Sequence, residues 1–144
     1  MAIAHEIPRV GVGVFLRMND RILLIQRKGA HGAGSYSIPG GAIEHGETAR
    51  EAAVREVTEE VGITTWADHL MVPSVQWTET VIEGQHWITL YFHAEYFLIP
   101  EGGPRVCEPD KCNHVAWYSF SALPNPLFPP LQLALDKGVA SKWE

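Results

Sequence analysis

This sequence has little cysteine and lacks any long apolar run. Its 144 residues include only two cysteines, Cys107 and Cys112, too few for the disulfide framework that stabilises small secreted proteins. No stretch reaches the ~20 apolar residues that a membrane-spanning helix needs, and the first residues do not form a charged and then apolar secretory leader. We therefore expect one soluble domain, residues 1–144, in the reducing cytoplasm, with no membrane contact.

The sequence also contains fewer basic than acidic residues. The chain has 11 Lys and Arg against 17 Asp and Glu, which leaves a net charge of −6 at pH 7. A surface with this balance does not attract the phosphate backbone of a nucleic acid polymer. A free nucleotide is still an acceptable partner, because local cations or a metal ion can hold a small anion. The composition therefore argues against a nucleic acid polymer as the binding partner but is compatible with a small anionic ligand.

Apolar residues recur with the periods of strands and helices, without an internal repeat. Residues 10–16 alternate in the manner of a strand, and residues 21–27 follow an Asn-Asp turn as its hairpin partner. Further strands are predicted at 70–80, 87–98 and 114–118, and helices at 47–61 and 129–137. Glycine-rich residues 28–41 are expected to form a loop. This order, without regular βαβ repetition, predicts an α/β fold of the mixed type, with helices packed on a mixed sheet.

Two residue types, glycine and tryptophan, could provide a surface against which a flat base binds. Gly11 and Gly13 leave one face of the first strand bare, which suits either the approach of a flat base or a crowded crossing of the sheet. The tryptophans are expected in the core or at its rim rather than as stacking platforms. They include Trp77, Trp87, Trp117 and Trp143.

The first predicted helix has more acidic side chains close together than its packing in a fold would require. At ~100° per residue, Glu56, Glu59 and Glu60 share about a quarter-turn beside alanines on the buried side. Like charges at this spacing repel, and more strongly when they are desolvated. Arg55 can pair with Glu51 and Glu59, but one arginine does not neutralise the cluster. Two interpretations remain, a solvated acidic face and a binding site for a hard divalent cation such as Mg²⁺.

The spacing of residues 41–63 favours the second interpretation. The fixed positions are Gly41, Glu47, Arg55, Glu56, Glu59, Glu60 and Gly62, with aliphatic Val57 and Ile63. A chance match at a given starting point has a probability on the order of 10⁻⁹. On these residues the chain resembles the Nudix hydrolase family. The resemblance implies an α/β/α sandwich with a mixed sheet, and hydrolysis of a diphosphate linkage, usually in a nucleoside diphosphate joined to another group.

The resemblance also implies roles within and near the motif. The implied metal ligands are Glu56, Glu59, Glu60, the backbone of Gly40 and, on a late loop, Glu108, with Mg²⁺ as the ion and Mn²⁺ as a substitute. The implied catalytic residues are Glu56, Glu59 and Arg55. Glu56 would activate water and Arg55 would fix the carboxylates. Gly41, Glu47 and Gly62 would shape the loop and the helix. For Glu108, an ordinary exposed loop position is an equally good interpretation.

Outside the motif, the chain resembles the MutT-like nucleoside triphosphate diphosphatases. This likeness rests on residues 27–29, 34–41, 108–112 and 123–128. The implied substrate-binding residues are Arg27, Lys28, Thr89, Leu127 and Phe128. The basic pair would contact phosphate and the others would line a base pocket, whereas the competing interpretation of the basic pair is a solvated hairpin end. Ala42 stands where close relatives often carry His, so one ring contact is absent.

The sequence thus predicts a Mg²⁺-dependent enzyme that converts a nucleoside triphosphate or deoxynucleoside triphosphate to the monophosphate and pyrophosphate. A nucleotide sugar or an isoprenyl diphosphate is the alternative substrate. A nucleotide-binding module without catalysis is the alternative from another class, and the mutually repelling carboxylates argue against it. A homodimer is compatible with the resemblance.

Overall fold

The computed structural model describes residues 7–29, 31–63, 77–95 and 103–140, which form seven strands and two helices. In chain order these are β1 (Arg9–Met18), β2 (Arg21–Arg27), β3 (Tyr36–Ser37), β4 (Gly40–Ala42), α1 (Ala49–Val61), β5 (Trp77–Ile82), β6 (Gln85–Glu95), β7 (Cys112–Ser119) and α2 (Pro129–Asp136). Parts of two predicted strands, 70–76 and 96–98, lie outside the described residues. Within the described ranges, neither helix is long and apolar enough to cross a membrane.

One mixed sheet contains all of these strands. Its main path runs β3-β2-β1-β6-β5, while β4 pairs with β1 and β7 pairs with β2. The β1–β6 pair is parallel, with Arg9 opposite Trp87 and Gly11 opposite Thr89. The β1–β2 and β5–β6 pairs are antiparallel, which confirms the predicted first hairpin. The mixed sheet is as predicted.

Helices cover both faces of this sheet. Alternate residues of β1 point to opposite sides, so that Val14 is buried on the α1 side and Phe15 on the α2 side. The α1-side core includes Val12, Val14, Leu16, Leu23, Ala52, Ala53, Val57, Val61 and Phe92. The α2-side core includes Phe15, Ile22, Leu24, Ile38, Tyr91, Leu131, Ala134 and Val139. This arrangement is the predicted α/β/α sandwich, and α1 packs against β1 and β4.

The bare face of β1 is occupied by aromatic side chains from β6. A Cβ atom on Gly11 would lie 3.2 Å from the Trp87 ring, and one on Gly13 would lie 3.2 Å from the Tyr91 ring and 2.8 Å from Ile38 Cδ1. A side chain at either position would force its neighbours to shift. These contacts favour the crowded crossing of the sheet as the reason for the two glycines.

Residues 28–41, predicted as a loop, contain β3 and the start of β4. The three residues of β4 pair antiparallel with Gly11, Val12 and Gly13 of β1. Segments of two or three residues are too short to show a hydrophobic period, which is why the sequence pattern does not predict them. Strand β4 matters for function because it places Gly40 and Gly41 between β1 and α1.

Helix α1 begins at Ala49, two residues after the predicted start. The Thr48 hydroxyl accepts a hydrogen bond from the Glu51 N–H at 3.1 Å, and the Glu51 carboxylate accepts one from the Thr48 N–H at 2.8 Å. This reciprocal capping box satisfies free donors of the first turn. Because Glu51 belongs to the capping box, Arg55 donates to Glu47 rather than to Glu51. At the other end, Gly62 has a left-handed φ of 74° and terminates the helix as predicted.

Candidate active site

A cleft of about 640 Å³ is lined by residues of α1, the start of α2 and all seven described strands. It gathers most of the sequence-predicted site residues, namely Arg27, Lys28, Gly40, Gly41, Glu56, Glu60, Thr89, Glu108 and Phe128. Five predicted residues do not line the cleft, namely Glu47, Arg55, Glu59, Gly62 and Leu127. The Glu59 side chain is 48% exposed and lies against Arg55, and Leu127 packs on the α2-side core. The cleft therefore unites the predicted acidic and basic positions from distant parts of the chain.

Glu60 lines this cleft, and one of its carboxyl oxygens is buried. It accepts a hydrogen bond from the Gly40 N–H, while its Oε2 is buried without a hydrogen-bond partner in the described part of the chain. The Glu56 carboxyl is close enough to share a proton with it. Burial, followed by the negative charge of Glu56, raises the pKa of Glu60 well above its ordinary value. A carboxyl in this position needs either a proton or a cation.

Arg55 joins the segment before α1 to the carboxylates of the helix. Its Nη2 donates to Glu47 Oε1 at 2.7 Å and to the Ala42 carbonyl at 3.0 Å. Its Nη1 donates to Glu56 Oε1 at 2.9 Å and to Glu59 Oε2 at 3.3 Å. The hydrogen bond with Glu47 is the main cause of a raised pKa at Arg55 and of a lowered pKa at Glu47. A guanidinium held in this way stays charged and restricts the rotamers of its partners.

Gly41 is required by the close approach of Glu56 to β4. A Cβ atom on Gly41 would lie 2.6 Å from Glu56 Cδ, whereas non-bonded carbons normally stay about 3.5–4 Å apart. The backbone has little freedom to retreat, since Gly41 pairs with Val12 in the sheet. The absence of a side chain at this position lets the Glu56 carboxyl reach the cleft.

The two predicted phosphate-binding cations differ in their surroundings. The Arg27 guanidinium lies 3.9 Å from the centre of the Phe128 ring, and its Nε donates to the His31 carbonyl at 3.1 Å. Burial lowers the pKa of Arg27, and the charge of Glu60 opposes that effect. Lys28 Nζ donates to the Pro109 carbonyl at 3.0 Å. Lys28 thus ties β2 to the loop that carries Glu108.

A third cation, Lys111, lies on that loop and was not among the predicted site residues. Its Nζ is 3.6 Å from Glu108 Oε2, and Glu108 is the main cause of a raised pKa at Lys111. Both side chains line the cleft. The available sequence signal was the likeness of residues 108–112 to the MutT-like branch, which assigns no role to the lysine.

The cleft is also lined by Arg9, which the sequence analysis did not single out, and by Trp87, which it expected in the core or at its rim. Arg9 Cζ lies 4.6 Å from the centre of the Trp87 ring, and Trp87 Nε1 donates to Gln85 Oε1 at 3.2 Å. All three residues line the cleft together with Thr89. No sequence spacing links Arg9 to Trp87, because the parallel register of β1 and β6 brings them together.

The acidic end offers a cation two converging carboxyls rather than a finished ligand set. Glu56 and Glu60 meet in the cleft, and the charge of Glu108 adds to the raised pKa of Glu60, whereas Glu59 is bonded to Arg55. Across 7–29, 31–63, 77–95 and 103–140, no three His, Cys, Asp or Glu side chains converge as a metal site. The unpartnered Oε2 of Glu60 fits a hard divalent cation, since Mg²⁺ prefers oxygen ligands.

Comparison with known proteins gives consistent matches. The sequence model described as NUDIX domain matches residues 7–140. The human 8-oxo-dGDP phosphatase NUDT18 is 35% identical over 82% of this chain and 34% of its own length. The NAD-capped RNA hydrolase NudC of Pseudomonas aeruginosa is 34% identical over 83% of this chain and 40% of its own. The chain thus spans a third to two fifths of these curated relatives. The crystal structure of a MutT NUDIX hydrolase from Burkholderia pseudomallei superposes with a TM-score of 0.80 and 34% identity, covering 92% of this chain and 98% of that one.

Proposed function

We propose, since this chain belongs to the NUDIX family of hydrolases, that it hydrolyses the diphosphate linkage of nucleoside triphosphates or deoxynucleoside triphosphates. The products are the monophosphate and pyrophosphate. The observation that carries the proposal is the pair of Glu56 and Glu60 in the cleft, with one buried and unpartnered oxygen. A protein that only bound nucleotides would gain nothing from two repelling carboxyls at this depth.

We assign metal binding, activation of water and positioning to different residues of the cleft and of α1. Glu56 and Glu60 would hold the divalent cation, with Glu59, Glu108 and the backbone of Gly40 as further ligands, and Mg²⁺ as the ion with Mn²⁺ as a substitute. When bound, the ion neutralises charge on the diphosphate. Glu56 orients the attacking water and takes up its proton as the phosphorus–oxygen bond to the leaving group breaks. Arg55 acts as a positioning residue, because it restrains Glu56 and Glu59.

The remaining cleft residues are assigned to the substrate. Arg27, Lys28 and Lys111 line the cleft and are proposed to contact phosphate. Lys28 also holds the loop of Glu108 through its bond to the Pro109 carbonyl. Thr89 and Phe128 line the same cleft and are proposed to contact the base. Leu127 packs on the α2-side core and is proposed to support the part of the cleft formed by Phe128.

Nucleoside diphosphate derivatives are the substrate class supported by the relatives. NUDT18 is named for 8-oxo-dGDP and NudC for NAD-capped RNA, which share a nucleoside diphosphate unit. The solved structure that matches over 98% of its length is a MutT NUDIX hydrolase, and the resemblance to the MutT-like branch implies nucleoside triphosphates as substrates. Nucleotide sugars and isoprenyl diphosphates remain the alternative substrates. We further propose that residues 1–144 act as one domain in the cytoplasm, compatible with a homodimer.

The test is the Glu60→Gln substitution, which keeps the shape of the side chain and removes its charge. We expect kcat for the best triphosphate to fall about 100-fold or more, while the fold is retained. Turnover is measured with separate detection of pyrophosphate and orthophosphate on a panel of four deoxynucleoside triphosphates, one nucleotide sugar and geranyl diphosphate.

The matched control is Glu51→Gln on the same helix. Glu51 belongs to the capping box, and glutamine also serves at that capping position, so near-wild-type turnover is expected. Near-wild-type turnover of Glu60→Gln at saturating Mg²⁺ would exclude the role given to Glu60. Release of orthophosphate alone, or a preference for geranyl diphosphate, would exclude the proposed reaction.

A further inference from the structure

The indole of Trp87 gives the cleft a flat surface that the proposed roles leave unused. We propose that Trp87, positioned by Arg9, is a stacking wall for the planar heterocycle of a nucleotide. This inference rests on the proposed function, because it places the phosphates of the same ligand at Glu56 and Glu60. It selects heterocyclic substrates over isoprenyl diphosphates and assigns Trp87 to specificity.

The orientation of the indole is fixed from three sides. The Arg9 guanidinium lies over the ring, and Gln85 accepts a hydrogen bond from its N–H. The ring also extends over Gly11, where a Cβ atom would lie 3.2 Å from Cε3 and Cζ3. An aromatic ring held in this way loses little entropy when a second ring stacks on it.

The position of Trp87 differs from that of a core tryptophan. Among the described residues, Trp117 packs against the α1-side core, whereas Trp87 belongs to neither core and lines the cleft. Trp77, on the same β5–β6 hairpin, is 56% exposed and does not line the cleft. The hairpin therefore contains both the proposed wall and a matched control residue.

The wall and the carboxyls line one and the same cleft. Gly11 links them, since its Cβ position is 3.2 Å from the Trp87 ring and 3.1 Å from the Gly41 carbonyl oxygen. Gly41 in turn is the residue against which Glu56 packs. Strands β6, β1 and β4 lie side by side, with Trp87 opposite Arg9 and Gly41 opposite Val12. Trp87 lies on the α2 side of the sheet and Glu56 on the α1 side, and the cleft that both residues line joins the two sides. The sugar and the phosphates would run along this cleft. Thr89, two residues along β6, supplies a hydroxyl beside the wall.

The kinetic test compares Trp87→Leu, Trp87→Phe and Trp77→Leu with dGTP as the probe. Because stacking of a base on an aromatic side chain contributes a factor of about ten to one hundred, Trp87→Leu should raise KM by that factor and change kcat less than about threefold. Trp87→Phe should give an intermediate KM, and Trp77→Leu should match the wild type. A folded Trp87→Leu variant with the wild-type KM would overturn the inference, as would a loss confined to kcat.

Fluorescence supplies a readout that does not require turnover. In the Glu60→Gln background, dGTP should quench tryptophan emission, and the quenching should disappear when Trp87→Phe is added but persist with Trp77→Leu. Persistent quenching in the Trp87→Phe variant, or none in the Glu60→Gln parent, would exclude the wall. If the wild type quenches with dGTP but releases no pyrophosphate, the proposed reaction fails while the wall stands. If Trp87→Leu does not fold, Trp87→Phe decides both measurements.

Discussion

Gly41 shows how one missing side chain controls the acidic end of the cleft. Replacement by alanine puts a Cβ atom 2.6 Å from Glu56 Cδ, so the carboxyl must move away. Because a misplacement of about 1 Å can cost a hundredfold in rate, we expect Gly41→Ala to lower kcat/KM by about 10- to 100-fold. Steady-state kinetics on the best triphosphate measures the loss.

Gly103→Ala is the control for this substitution. A Cβ atom at Gly103 meets nothing within 4 Å, so its kinetics should equal those of the wild type. If Gly41→Ala also retained wild-type kinetics, the observed position of Glu56 would have no bearing on catalysis.

Individual residues differ in how far the sequence reveals their placement. Glu56 and Glu60 could be placed beside a glycine loop because their spacing on one helix fixes their direction. Glu59, three residues after Glu56, was expected among the metal ligands, but the structure shows it bonded to Arg55. The Arg9–Trp87 contact depends on the register of two strands distant in sequence, and no local pattern encodes that register.

At the scale of the element, α1 owes its start to the capping box. Thr48→Ala removes the hydroxyl that accepts the Glu51 N–H at 3.1 Å. Losing such a cap costs about 1 kcal/mol, so the free energy of unfolding should fall by about that amount. Urea denaturation followed by circular dichroism measures it. Thr48→Ser keeps the hydroxyl and should be close to the wild type; an equal loss in both variants would show that the cap is not the cause.

The elements themselves were predictable wherever they are long enough to show a period. The first hairpin, α1 and α2 agree with the prediction to within a few residues at their ends. The sequence pattern did not predict strands β3 and β4, because they are only two and three residues long. Their existence follows from pairing with β2 and β1, which is a property of the assembled sheet and not of the local sequence.

For the whole molecule, the repulsion between Glu56 and Glu60 should couple stability to cations. A ligand that binds only the folded state stabilises it by about 2.7 kcal/mol at a concentration of 100 Kd. We therefore expect Mg²⁺ to raise the melting temperature, and nucleotide to raise it further. Differential scanning fluorimetry in EDTA, in Mg²⁺ and in Na⁺ at matched ionic strength measures the shift.

The double variant Glu56→Gln/Glu60→Gln is the control for this coupling. Without Mg²⁺ it should melt above the wild type, because the buried charges that repel each other are gone. It should respond weakly to Mg²⁺. An undiminished Mg²⁺ shift in the double variant would place cation binding elsewhere.

The parallel pairing of β1 with β6 also has a consequence for the order of folding. It joins Arg9 to Trp87, 78 residues later, whereas α1 and the two hairpins form between neighbours in sequence. Closing so long a loop has a high entropic cost, and folding rates fall as contacts become less local. The carboxyls on α1 can therefore be in place while the aromatic end of the cleft is still distant. A refolding chain would regain its helical signal first and its affinity for nucleotide only when β1 and β6 have paired.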